Sequence, residues 1–214
     1  MMQIKVVIFD VDGVLFDTDE LYFRYLQQAL ARIDVKIDEA FYTYHGYDDC
    51  IYELDLHEQK LKDVLTELRA DYYHDNILQE IRMKQGVLAV LKRLSGSLQI
   101  ATGSGEKRFQ IERYLQHFNI DEYFSFIGHG ALVEGKKGNP EYFHVIAKHF
   151  GVLPGECLHI GDNLYDQNGL AAGVNVAIIP TKYSSHITFD QRCYMLGSIT
   201  DVPQLINDLS TVKS

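Results

Sequence analysis

Residues 4–18 read IKVVIFDVDGVLFDT. The first six, Ile4 to Phe9, are short, β-branched and almost uniformly apolar. That is the pattern of a central strand covered on both faces in a parallel sheet. Asp10 and Asp12 stand at the end of the run, with Gly13 straight behind them. Two acids at the edge of a core cost free energy unless something compensates them. The reading therefore sets them just past the strand, where Gly13 lets the chain turn away.

Four similar runs follow at Ser97–Thr102, Phe124–Gly128, Cys157–Asp162 and Asn175–Pro180. Helical stripes lie between them. Ile111, Tyr114, Leu115 and Phe118 fall at i, i+3, i+4 and i+7, which makes one apolar face. Phe143, Ile146, Ala147 and Phe150 do the same, with Pro140 where a helix start tolerates it. Val87–Leu94 leads into the second strand. Strand and helix in alternation predict an α/β fold, a doubly wound parallel sheet with right-handed crossovers.

From about Thr18 to Met83 the rhythm breaks. Leu21, Tyr22, Tyr25, Leu26 and Ala29 form one helical stripe, and Leu61, Val64, Leu65 and Leu68 another. No strand pattern intervenes. This predicts a small all-α cap inserted after the first strand: residues 17–83 as the cap, residues 1–16 and 84–214 as the core. The cap's many tyrosines are expected mostly to pack its own interior.

Composition narrows the function classes. The chain has 214 residues, 46% of them apolar, enough for one large domain with an insert. A net charge of -10 argues against binding nucleic acid, whose phosphates demand a basic stripe. It leaves room for a small anionic ligand where a local metal or lysine reverses the sign of a cleft. The three cysteines, Cys50, Cys157 and Cys193, are far apart and form no CxxC pair. That disfavours a disulfide framework or structural zinc and suggests a reducing compartment. No segment reaches the roughly 18 apolar residues of a membrane span, and the N-terminal apolar run is too short for a signal peptide. The expectation is a soluble, cytoplasmic protein without a membrane or nucleic-acid partner; monomer and dimer are both compatible with the sequence.

Ligands of an open parallel sheet bind beyond the carboxyl ends of its strands. After the first strand come Asp10 and Asp12; after the second, Thr102, Gly103 and Ser104; after the third, a loop with Lys136 and Lys137; after the fourth, Asp162 and Asp166. Four carboxylates converging on one edge would repel without a cation, and hard oxygen ligands beside a phosphate describe a Mg2+ site. A lysine and a hydroxyl suit the remaining phosphate oxygens. One decoy falls away. GALVEGKK, Gly130 to Lys137, lacks the Ser or Thr of a nucleotide-binding phosphate loop, and no GxGxxG or HExxH occurs.

DVDGV at Asp10, TGS at Thr102, KGNPEYF at Lys137 and GDNLYD around Asp162 resemble the four motifs of the haloacid dehalogenase-like phosphohydrolases, in order and along nearly the whole chain. The insert resembles that superfamily's small α-helical cap, and the branch is similar to phosphoglycolate phosphatases and β-phosphoglucomutases. The resemblance implies that Asp10 attacks phosphorus and binds magnesium. It implies that Asp12 is the proton shuttle and ligates the metal through its carbonyl. Thr102 and the Gly103 amide, with Ser104 beside them, would hold phosphate, and Lys137 would bridge nucleophile and phosphate. Asp162 would bind the metal directly, and Asp166 directly or through water. Gly138 replaces the first proline of the branch's Lys-Pro-x-Pro motif, while Pro140 keeps the register and favours Lys137 over Lys136. His45, Gly46 and Tyr47 lie where the family's specificity loop is expected.

The implied activity is a Mg2+-dependent phosphatase acting on a small phosphate ester, of sugar-phosphate or phosphoglycolate type, through an aspartyl-phosphate. The alternatives are a phosphomutase with the same site and a non-catalytic binding module on the same fold.

Overall fold

The computed structural model describes residues 3–54, 56–72 and 77–211, without the side chains of 46–49, 67–72 and 136. Six parallel strands form one sheet: β1 Val6–Phe9, β2 Gln99–Gly103, β3 Phe126–Gly128, β4 Cys157–Gly161, β5 Asn175–Ile178 and β6 Tyr194–Met195, in the order β3-β2-β1-β4-β5-β6. Five are the expected strands, trimmed by up to two residues at their ends or, for β2, shifted toward Gly103. The sixth is two exposed edge residues, too short to show a period.

The first strand is covered on both faces because its side chains alternate. Val7 and Phe9 enter a core with α5 Val87–Leu94, α6 Arg108–His117 and α8 Val202–Thr211, while Val6 and Ile8 pack on Tyr142, Phe143 and Ile146 of α7 Glu141–His149. Removing a side chain such as fully buried Phe143 would cost about 3–5 kcal/mol.

Register sets the site. Phe9 lies opposite Thr102 on one side and Ile160 on the other, so Asp10, Gly103 and Gly161 stand at one level. The chain runs outward from β1 through β2 to β3, then returns to β4 on the other flank of β1. Such a reversal opens a crevice at the carboxyl ends of the strands.

Between β1 and α5 the longer elements among the described residues are all helical: α1 Asp19–Ala31, α2 Glu39–Cys50, α3 Glu58–Tyr72 and α4 Ile77–Glu80, with a short 3-10 turn at Tyr52–Leu54. The two strands of chain that enter and leave this region pair with each other: Asp17 N donates to Arg82 O at 2.9 Å and Lys84 N to Leu15 O at 2.9 Å. The predicted stripe of α1 is buried throughout. Val64 of α3 is buried, Leu61 and Leu65 are partly so, and Leu68 lies outside the described side chains. The tyrosines divide more than expected. Tyr25 and Tyr42 are buried, whereas Tyr44 is 74% and Tyr52 66% exposed. Tyr47, Tyr72 and Tyr73 lie outside the described side chains.

Candidate active site

Asp10 takes its place because its N–H continues the sheet ladder to Ile160 O at 2.8 Å. Its carboxyl accepts from Val11 N at 2.7 Å on one oxygen and from Lys137 Nζ on the other. Gly13 then turns the chain at φ 72°, a conformation that favours glycine. A Cβ there would also collide with the carboxylate of Asp162, so Gly13 serves the turn and the close approach together.

Lys137 comes from a 3-10 turn, Lys136–Gly138, just ahead of Pro140 at the start of α7. Its buried ammonium contacts Asp10 and, at 2.8 Å, Asp166 Oδ1. Asp166 lies in the first turn of a 3-10 segment, Leu164–Ala172. Its Oδ2 accepts from the backbone N–H groups of Asp162 and Asn163, both at 3.0 Å, and Oδ1 also meets His159 Nε2 at 2.7 Å.

These contacts separate the carboxyls electrostatically. Burial opposes charge on every one of them. At Asp166 the charge of Lys137 and the bond from His159 overcome burial and hold the carboxyl well below the usual range. Burial pushes Asp10 up, only partly offset by Lys137. Burial likewise raises Asp162, aided by the charges of Asp19, Asp166 and Asp10. Burial raises Asp12 too, against bonds from Tyr22 and Thr18. Lys137 keeps its proton: Asp10 and Asp166 outweigh the burial that disfavours its charge.

One carboxylate oxygen each from Asp10, Asp162 and Asp166 lies within 4.8 Å of the others. Three buried carboxylates facing one lysine leave excess negative charge, and all the donors are hard oxygens. That donor set fits a hard divalent cation.

The other expected residues are placed as follows. Thr102 is fully buried and its hydroxyl donates to Gly128 O at 3.0 Å, across to β3. Ser104 is buried; its hydroxyl accepts from Glu106 N at 3.0 Å and stands close enough to Asp12 to favour that carboxyl's charged form. Gly103 ends β2 beside Gly128. His45 sits inside helix α2, not on a loop, with its ring on Phe41 at 4.4 Å and Tyr44 at 4.9 Å. The run Glu39–Cys50 is helical throughout, where the resemblance implied a loop. The side chains of Gly46, Tyr47 and Lys136 lie outside the described residues.

Four contributors escaped the sequence reading. Thr18 Oγ1 and Tyr22 OH both donate to Asp12 Oδ1, at 2.9 and 2.8 Å. Their i, i+4 spacing puts them on one face at the start of α1, which was a usable signal. Asp19 turns its carboxyl toward Thr181, Asp12 and Asp162; burial, then the charge of Asp12, pushes it up to about 6. His159 is a polar residue in an otherwise apolar strand, a flag by itself.

A family model described as haloacid dehalogenase-like hydrolase matches residues 7–179. The chain is 28% identical over 231 residues to the glyceraldehyde 3-phosphate phosphatase of Pyrococcus furiosus, covering 98% of this chain and 94% of that one. It is 25% identical over 218 residues to the pyrophosphatase PpaX of Bacillus cereus, covering 98% and 99%. Among solved structures it resembles CbbY from Rhodobacter sphaeroides in complex with phosphate, with a TM-score of 0.77, 21% identity, and 94% and 96% of the two chains covered. Among the described residues no helix is long and apolar enough to cross a membrane.

Proposed function

The chain belongs to the haloacid dehalogenase-like hydrolase family, and from that premise we propose that it is a Mg2+-dependent phosphatase of small phosphorylated metabolites. The observation that carries this reading is the buried Lys137 ammonium joining Asp10 to Asp166 at the carboxyl edge of β1 and β4. A lysine buried between two carboxylates carries a desolvation cost that only close, well-formed ion pairs offset. Here it stands where the equatorial oxygens of a phosphoryl group on Asp10 would lie. Relatives named for phosphatase and pyrophosphatase activity, aligned over nearly the whole chain, support the same class.

Asp10 and Asp162, with the Asp12 carbonyl, would hold the magnesium, and Asp166 would reach it directly or through water. Bound there, Mg2+ supplies positive charge that favours ionised carboxylates and neutralises phosphate oxygens. Asp10 attacks phosphorus, and the bond from phosphorus to the ester oxygen breaks. Asp12, its carboxyl raised by burial, gives its proton to the departing oxygen. Asp12 then takes a proton from water as that water attacks the aspartyl-phosphate. Orthophosphate leaves and the Asp10 carboxylate is restored. Thr102, Gly103 and Ser104 would position the phosphate, which requires the Thr102 hydroxyl to turn from Gly128. Residues 17–83 would form the lid that excludes bulk water and selects the leaving group, with His45, Gly46 and Tyr47 on its second helix.

The test is orthophosphate release over a panel of phosphate monoesters and pyrophosphate, with magnesium against chelator, and Asp10→Asn alongside. The expected result is turnover with magnesium alone and a loss of about 10^4-fold or more in the variant. An Asp10→Asn protein with full activity would sink the mechanism. Transfer of phosphate between sugar hydroxyls without release would indicate a mutase.

A further inference from the structure

His159 lies at the middle of β4 and is fully buried. Its Nδ1 is 3.1 Å from the carbonyl of Ile8 and its Nε2 is 2.7 Å from Asp166 Oδ1. A carbonyl only accepts, so Nδ1 carries a hydrogen and donates it. Nε2 is thereby aimed at Asp166, and the hydrogen between those two atoms ties them together whichever one it rides on. The same carboxylate oxygen receives Lys137 Nζ, whose other contact is Asp10. A chain of bonds thus runs from the backbone of β1 through His159, Asp166 and Lys137 to the carboxylate of Asp10.

The surroundings are shaped for this ring. Phe143 meets it edge to face at 4.9 Å. A Cβ on Gly103 would come within 3.2 Å of its Cε1 and 2.6 Å of the Ile8 side chain, so β2 leaves that space open. An apolar side chain of similar size could fill the same space without either bond. Packing alone therefore does not call for a histidine.

We propose that His159 is a positioning residue for phosphoryl transfer, fixing Asp166 and through it the Lys137 ammonium against Asp10. The inference rests on the phosphatase reading for its catalytic consequence, but its structural consequence can be observed without turnover.

Two amide variants separate the two bonds. The amide nitrogen of His159→Gln stands near the position of Nε2 and keeps the bond to Asp166. That of His159→Asn stands near Nδ1 and keeps only the bond to Ile8. The Gln variant is expected to retain kcat within about 5-fold of wild type. The Asn variant should lose about 10–100-fold, mostly in kcat, with KM within about 3-fold and both melting temperatures similar. Should Asn not fold, His159→Met, which makes neither bond, takes its place with the same expected loss. Crystal structures of the pair should show Lys137 Nζ still on Asp10 in Gln and displaced in Asn. Equal kcat in the two variants, or Lys137 unmoved in both crystals, would overturn the proposal. A wild type inactive on every phosphate ester would refute the phosphatase reading, while the crystal pair would still judge the positioning.

Discussion

The floor of the site and the contact between α1, α2 and the loop after β5 are built from the same groups in opposite surroundings. On the floor, Lys137 lies between Asp10 and Asp166 with side chains 8%, 3% and 0% exposed. At the rim, Lys182 Nζ lies 2.5 Å from Glu20 Oε2 and 2.6 Å from Glu39 Oε1, with side chains 57%, 58% and 52% exposed. Tyr183 OH adds a bond to Glu20 at 3.0 Å, and its ring meets Tyr42 at 5.3 Å. Each cluster is one lysine bridging two acids. Water screens the rim, so its pairs contribute little. The floor is shielded from bulk solvent, so removing one member leaves an uncompensated buried charge at a much higher cost. Similar distances therefore mean a fixed, buried charge in one place and a weak, adjustable attachment in the other.

Lys137→Met is the strongest test of that contrast. It should cost about 3–5 kcal/mol, read by denaturant unfolding without metal. It should also lower turnover by about 10^2–10^3-fold. Loss of neither would mean that the floor behaves like the rim.

Asp162→Asn probes the opposite sign. The folded carboxyl of Asp162 is raised by burial and by like charges. The folded state therefore binds more protons than the unfolded chain above about pH 4, and stability falls as pH rises through that window. In chelator at neutral pH the variant should melt a few degrees higher than wild type, since about 1 kcal/mol corresponds to roughly 2–4 °C at this size. With magnesium the order should reverse. A lower melting temperature in chelator would show that Asp162 is not strained by its neighbours.

Tyr22→Phe removes one of three hydroxyls, with Thr18 and Ser104, that favour the charged form of Asp12. The Asp12 pKa should rise, moving the alkaline limb of kcat/KM to higher pH by up to about one unit. A pH profile identical to wild type would show that the tyrosine only packs.

Lys182→Ala should have the smallest effect, below about 1 kcal/mol on stability and smaller still at high salt. A large or salt-independent loss, seen in melts at two ionic strengths, would erase the distinction between rim and floor.

Much of this was legible in one dimension because strands and catalytic groups are local facts. An apolar run ended by Asp10 and Asp12, another ended by Thr102, and a third ended by Asp162 each declare a strand and its carboxyl end. The rule that ligands gather at such ends does the rest. Pro140 favoured Lys137 over its neighbour only through the register of the motif that the loop resembles. What stayed hidden depends on the other side of a contact. His159 reads as one polar residue in a strand until Ile8, Gly103 and Asp166 surround it. Tyr22 reads as part of an apolar stripe until its hydroxyl reaches Asp12. His45 was expected on a loop because the resemblance places the family's specificity loop there, yet Glu39–Cys50 is a helix.

The sequence by itself determined the parallel α/β architecture, the helical insertion after the first strand, and which acids and lysine meet at one edge. Periodicity and strand-end chemistry depend on neighbours along the chain. Only the tertiary structure decided which oxygen of Asp166 holds Lys137 and which holds the backbone, where the Thr102 hydroxyl points, and that a histidine underlies the site. Those choices follow from burial and from hydrogen bonds spanning up to 151 residues between Ile8 and His159, and nothing in local spacing encodes them.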